Sequence, residues 1–192
     1  MKTDHIIIRP ATPADAPIIA DALTMALGEE TMKKYCGQGH REVLQELARR
    51  EDTQYSYLNA LVADADGLSA GAIVGYDGAR LHELRNPTLR LIEERTGQQF
   101  HAVEDETAPG EYYLDSLGIL PRYRNHGIGG RLLAALRDKA FAEGHRRAGL
   151  LVDEENTQAE RLYHALGFER VEKRYLFGLK MWHLQALNPQ GE

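Results

Sequence analysis

The sequence predicts an α/β fold with a mixed sheet, and three observations carry that prediction. Two β-rich runs, Tyr57 to Ala63 and Ala70 to Tyr76, flank the turn-forming stretch Asp64-Ala65-Asp66-Gly67, which reads as a hairpin. A strand-like run from Tyr112 to Leu120 leads through Gly127-Ile128-Gly129-Gly130 into an amphipathic helix, and a further strand, Ala148 to Val152, follows. A helical stretch from about Asn156 to Leu166 stops at Gly167, ahead of two closing strands, Phe168 to Val171 and Leu176 to Leu184. Early strands therefore pair as hairpins, and later ones are joined through helices.

The remaining elements fit between these. His5 to Arg9 is short and β-branched, a first strand. Thr12 is placed to cap a helix, Pro13 suits its first position, and Asp15 suits its positive end. Ile18, Ile19, Ala22, Leu23 and Ala26 keep helical spacing. A break at Gly37-Gln38-Gly39 precedes a second helix striped by Val43, Leu44 and Leu47. From Asp77 to Pro109 only Thr88 to Arg95 reads as helix. The rest reads as loop, and a connection that long is expected to cover something. The tail 185–192 is expected to fray.

At 192 residues the chain suits one domain, 1–192, with an ordinary globular composition of 43% hydrophobic and 27% charged residues. Lys plus Arg total 23 and Asp plus Glu 29, a net charge of −6, which disfavours general attraction to nucleic acid or anionic lipid. Cys36 is the only cysteine, so no intramolecular disulfide forms, and its lack of a motif reads as structural. No apolar run approaches the roughly 18 residues that cross a bilayer, and no signal-peptide pattern opens the sequence. The expectation is a cytoplasmic protein without nucleic-acid or membrane partners.

The chemistry concentrates in Arg124-Asn125-His126-Gly127-Ile128-Gly129-Gly130, where a strand gives way to a helix. A helix start carries unpaired N–H groups and partial positive charge, and glycines let a phosphate approach the backbone. Arg124 and Arg131 add charge. The third glycine of the dinucleotide fingerprint is missing, because Leu132 stands there, and the Gly-Lys-Ser/Thr of the Walker pattern is absent. A tight turn with no ligand is the bland alternative. No histidine stands at metal-ligand spacing, since His82-Glu83 lacks its second histidine at Asn86, so no metal is expected. Asp115 lies in an otherwise apolar strand, where burial would make it a useful base; pairing with a basic neighbour is the alternative. Glu111, Glu83 or a water relay are the other candidates.

Read together, Leu117-Gly118-Ile119-Leu120-Pro121, Arg124-x-x-Gly127-x-Gly129 and Asn156-x-x-Ala159-x-x-Leu162-Tyr163-x-x-x-Gly167-Phe168 resemble the GNAT superfamily of acetyl-CoA-dependent N-acetyltransferases. The opening Ile8-Arg9-x-Ala11-Thr12-x-x-Asp15 is similar to that family's first strand and helix. The resemblance implies a mixed, mostly antiparallel sheet of about seven strands, flanked by about four helices and splayed between its fourth and fifth strands, with acetyl-CoA in the opening. It implies that backbone N–H groups of Asn125, His126, Gly127, Ile128, Gly129 and Gly130 hold the pyrophosphate and that Arg124 shapes their loop. The backbone of Leu117, Gly118 and Ile119 would bind the pantetheine arm and polarise the thioester. Gly118 departs from the alanine of many members, a change between small residues that casts little doubt. Asn156 would contact the cofactor, or cap its helix, and Tyr163 would protonate the leaving thiolate, or simply pack. The implied activity is direct acetyl transfer to a primary amine of a small molecule or protein. A non-catalytic acyl-CoA-binding module is the alternative, and the reading allows a homodimer. The segments Glu29 to Gly39 and Asp77 to Pro109, with Tyr35, Tyr55, Tyr57 and Tyr76 near them, are the expected selectors of the acceptor.

Overall fold

The computed structural model describes residues 5–176 and 178–190. Seven strands form one sheet in the order β1-β2-β3-β4-β5-β7-β6, where β1 is Ile6–Pro10, β2 Ala60–Ala65, β3 Leu68–Asp77, β4 Tyr112–Ile119, β5 Arg147–Asp153, β6 Glu169–Leu176 and β7 Leu179–Leu187. All neighbours are antiparallel except β4 and β5. The β2–β3 hairpin closes on Asp66 and Gly67, with φ of 51° and 81°. Positive φ at both central residues is what a two-residue hairpin turn requires, and Asp-Gly supplies it at low cost.

Among the described residues six α-helices cover the sheet: α1 Ala16–Leu27, α2 Glu29–Cys36, α3 His40–Arg49, α4 Leu81–Thr96, α5 Ile128–Ala142 and α6 Thr157–Ala165. Side chains alternate along a strand, so each strand feeds two layers. Val62, Ala72 and Val74 pack with α1 to α4, whereas Leu61, Ala63 and Ile73 pack with α5. Leu132, Leu133 and Leu136 of α5 are each at most 1% exposed. Each such side chain contributes roughly 1.5–3 kcal/mol by leaving water.

The structure differs from the sequence expectation at several places. Glu29–Cys36 is a helix that the sequence reading did not single out. The helix expected over Thr88 to Arg95 starts at Leu81 and runs through Pro87. Leu81, Leu84, Thr88, Leu91 and Ile92 are buried along it, and that burial offsets the lost hydrogen bond and crowding at proline. Tyr57 belongs to a short 3-10 turn, not to β2. The tail does not fray at residue 185. β7 runs to Leu187 with Leu184 and Ala186 buried, and the Asn188 N–H donates to the Arg146 carbonyl at 2.9 Å. Residues 191 and 192 of that tail lie outside the described residues.

Candidate active site

The site begins with a failure of pairing. β4 and β5 are in register only at Tyr112–Ala148 and Tyr113–Gly149, although both strands continue beyond. The β5-facing edge of β4 from Leu114 onward has no strand partner, while its other edge pairs with β3 through Ile119. Backbone groups at Leu117, Gly118 and Ile119 on the open edge are therefore left for something other than the sheet. The cleft between the strands is lined by Leu114, Asp115, Ser116, Leu117, Leu150 and Tyr163, among others. Leu114 and Leu150 belong to the α5 layer, whereas Tyr113, Tyr76 and Leu151 pack together on the opposite face. The cleft lining includes Leu151 of that opposite group, so it draws on both faces of the sheet.

On the α5 face, the glycine-rich turn stands at the mouth of the cleft. Asn125 and Gly127 take left-handed conformations, with φ of 63° and 73°. Arg131 N–H donates to the Gly127 carbonyl as the first helical bond, and no side chain caps the helix. The N–H groups of Ile128, Gly129 and Gly130 are consequently free of helical partners, at the positive end of a 15-residue helix. Arg124 Nε donates to the Ile119 carbonyl at 3.0 Å, and its guanidinium lies 3.6 Å from the Met25 sulfur, so it ties the turn to β4 and α1. His126 Nδ1 is 2.7 Å from the Arg124 carbonyl, a contact that braces the same turn. Arg131 is exposed on the first turn of α5. A Cβ on Gly129 would be within ordinary contact of Leu117 and Ile119, and one on Gly130 would lie 3.5 Å from Leu162 of α6. Gly118 behaves differently from expectation. A Cβ there would collide with the backbone of Ala22, so alanine does not fit and α1 lies directly on β4.

Tyr163 projects from α6 into the α5 layer, edge-on to Phe168 at 6.4 Å between ring centres. Burial raises its hydroxyl pKa, so it stays protonated at neutral pH, and the hydroxyl has no hydrogen-bond partner among the described residues. Asn156 caps α6, its side-chain oxygen accepting from Ala159 N–H at 3.1 Å. The cap uses only that oxygen and leaves the amide N–H groups as donors.

Asp115 occupies the opposite side of the cleft. Burial, followed by the nearby Glu106 carboxylate, pushes its carboxyl up to about 7, against opposing hydrogen bonds from Ser116 and Tyr76 and the Arg85 charge. Ser116 Oγ lies 3.0 Å from Asp115 Oδ1. Around it stand the phenols of Tyr35, Tyr55, Tyr76 and Tyr113, all held above their ordinary range chiefly by burial and then partly by these acids. Tyr57 is not among them, because its hydroxyl donates to Glu51 at 2.8 Å on the surface. Glu83 sits on the exposed first turn of α4, paired with Arg80 at 2.7 Å. Glu111 is 3% exposed and accepts from Thr107, His183 and Gln185 at 2.7, 2.9 and 2.7 Å. Burial works to raise its carboxyl, but those donors outweigh it and leave it below its ordinary range. Neither has the environment of a neutral-pH base. Cys36 is buried, which pushes its thiol up to about 12 and makes it inert at neutral pH.

The family model of the acetyltransferase (GNAT) family matches residues 29–168. The chain belongs to the GNAT family. It is therefore an acyltransferase, with acetyl-CoA as its cosubstrate. It is 43% identical over 133 residues, 62% of this chain and 82% of the relative, to the N-alpha-acetyltransferase RimI of Mycobacterium tuberculosis (strain ATCC 25618 / H37Rv). It is 34% identical over 117 residues to the mycothiol acetyltransferase of Corynebacterium diphtheriae (strain ATCC 700971 / NCTC 13129 / Biotype gravis), covering 54% of this chain and 38% of that protein. A solved acetyltransferase structure, 30% identical, superposes with a TM-score of 0.78 over 94% of this chain and 98% of its own. The parallel, partly unpaired β4–β5 pair agrees with the opening expected of this GNAT fold. No helix among the described residues is long and apolar enough to cross a membrane.

Sequence reasoning missed Glu106 and Arg85. They are 21 positions apart, in a segment without a motif, and only folding joins them. The one available signal was a lone arginine at helical spacing with Leu81, Leu84, Thr88, Leu91 and Ile92.

Proposed function

We propose that this GNAT protein transfers the acetyl group of acetyl-CoA to a primary amine by direct attack in a ternary complex. The observation that carries the reading is the cleft between β4 and β5, with Asp115 and Tyr163 both on its wall. Acetyl-CoA enters from the α5 face, with its pyrophosphate on the N–H groups that open α5 and its pantetheine along the free edge of β4. The acceptor arrives from the α1–α4 face. Asp115 takes one proton from the incoming ammonium and passes it to solvent. The amine nitrogen attacks the thioester carbon, and the open-edge N–H groups of β4 stabilise the developing oxyanion. As the C–S bond breaks, the thiolate takes the proton of the Tyr163 hydroxyl. The second proton lost from nitrogen restores that hydroxyl through solvent.

Two carboxylates and four phenols around the acceptor side favour an amine that binds as a cation. The name of the M. tuberculosis relative, an N-alpha-acetyltransferase, agrees with a peptide amine as the first choice. Thiol release from acetyl-CoA, followed across peptide N-termini, polyamines and aminoglycosides, identifies the acceptor. With the best acceptor, Tyr163→Phe lowers turnover by a factor on the order of 10²–10⁴ at saturating acetyl-CoA, with the dissociation constant and melting temperature kept. A near-normal rate would refute the acid role, and loss of binding along with rate would reassign the hydroxyl to holding the cofactor.

A further inference from the structure

We infer that Glu106, clamped by Arg85, is a positioning residue of the acceptor side that acts on Asp115 by holding Tyr76 beside it. The inference rests on the reading of Asp115 as the proton acceptor. Glu106 lies on the connection between α4 and β4 and is 9% exposed. Its Oε1 accepts from the Tyr76 hydroxyl at 2.9 Å and from Gln54 Nε2 at 2.7 Å, and its Oε2 accepts from an Arg85 nitrogen at 2.6 Å. Arg85 is 4% exposed, and its second terminal nitrogen reaches Asp105 at 2.8 Å and the Val103 carbonyl at 3.2 Å. Buried charges placed this carefully are costly to hold, and the pair joins the connecting segment to α4 beside the reacting centre.

Tyr76 is the hinge of the arrangement. Its hydroxyl accepts from Gln54 Nε2 at 2.9 Å and has one proton to donate. That proton goes to Glu106, and the register partner of Tyr76 is Tyr113, two residues before Asp115 on β4, so the Glu106-bound hydroxyl stands beside the cleft residue it acts on. The groups facing Asp115 are Tyr76 from β3, Tyr113 and Ser116 from β4, Arg85 from α4, Glu106 from the connection, Tyr35 from α2 and Tyr55 from the segment after α3. In this set Glu106 is the carboxylate that opposes ionisation of Asp115, Arg85 is the cation that favours it, and the Tyr76 hydroxyl is held by Glu106. The connecting segment, expected from sequence only to cover something, thereby tunes the base.

The test uses the full chain carrying ¹³C at aspartate side-chain carboxyls, titrated by NMR without substrate. The Asp115 signal is assigned by its loss in Asp115→Asn. Glu106→Gln, which keeps shape and removes charge, lowers the Asp115 midpoint by about one pH unit. Tyr76→Phe, which keeps the ring and removes the donor, raises it. Arg85→Lys, which keeps the charge, leaves it near the wild-type value. An unchanged midpoint in Glu106→Gln overturns the inference, and where that variant does not fold, an unchanged or lowered midpoint in Tyr76→Phe does so. Failure of the base reading is separate: it shows as normal turnover in Asp115→Asn, whatever the midpoints do.

Discussion

Replacing Asp115 by Asn exposes what holding a base in this cleft costs. The Asp115 carboxyl sits at about 7 against an ordinary 3.8. With the folded value above the unfolded one, the unfolded chain releases this proton first. Wild-type stability therefore falls as pH rises from about 4 through about 7, and is level above that. The full difference corresponds to roughly 4 kcal/mol, and partial access of solvent from the cleft reduces it to roughly 2–4 kcal/mol. Asn carries no charge to bury, so the variant lacks this loss. Urea unfolding at pH values from 4.5 to 8.5 reads the gap directly. The variant gains on the wild type progressively up to about pH 7 and keeps that advantage at pH 8, while its turnover at neutral pH falls. Higher pH partly restores turnover, because solution then deprotonates the amine. A stability gap that stays constant with pH would refute the buried-carboxyl argument.

Other substitutions test other parts of the site. Gly127→Val places a β-branched residue at a φ of 73°, costing about 1–3 kcal/mol, and blocks the approach to the α5 N–H groups; calorimetry should show acetyl-CoA affinity collapsing in a chain that still melts cooperatively. Gly118→Ala drives a methyl group into the Ala22 backbone and should lower stability by about 1–3 kcal/mol, seen as a lower melting temperature that saturating acetyl-CoA does not fully restore.

The sequence was most readable where local chemistry decides local structure. Asp66-Gly67 specifies a hairpin turn, Gly127 a left-handed residue before α5, and the leucines of α5 a single buried stripe. Asp115 stood out because a charge in an apolar strand needs a reason. Features set by contacts between distant segments were not readable. The sequence showed helix only over Thr88 to Arg95, and the apolar face that α4 covers shows why it starts at Leu81 and runs through Pro87. Gly118 reads as interchangeable with alanine until α1 is seen lying on it. The Arg85–Glu106 pair leaves no local pattern, and the end of β7 is held by Asn188 bonds to residues more than 40 positions away.

The claim at the centre of this account is that acetyl-CoA occupies the opening between β4 and β5, with its phosphates at the start of α5. Amide-resolved NMR during titration with acetyl-CoA tests it most directly. The account predicts that the largest shifts fall on Ile128, Gly129 and Gly130 and on Leu117 to Ile119, and that the Glu111–His183 region responds little. Saturable binding that leaves the α5 start and the β4 edge unmoved would contradict it.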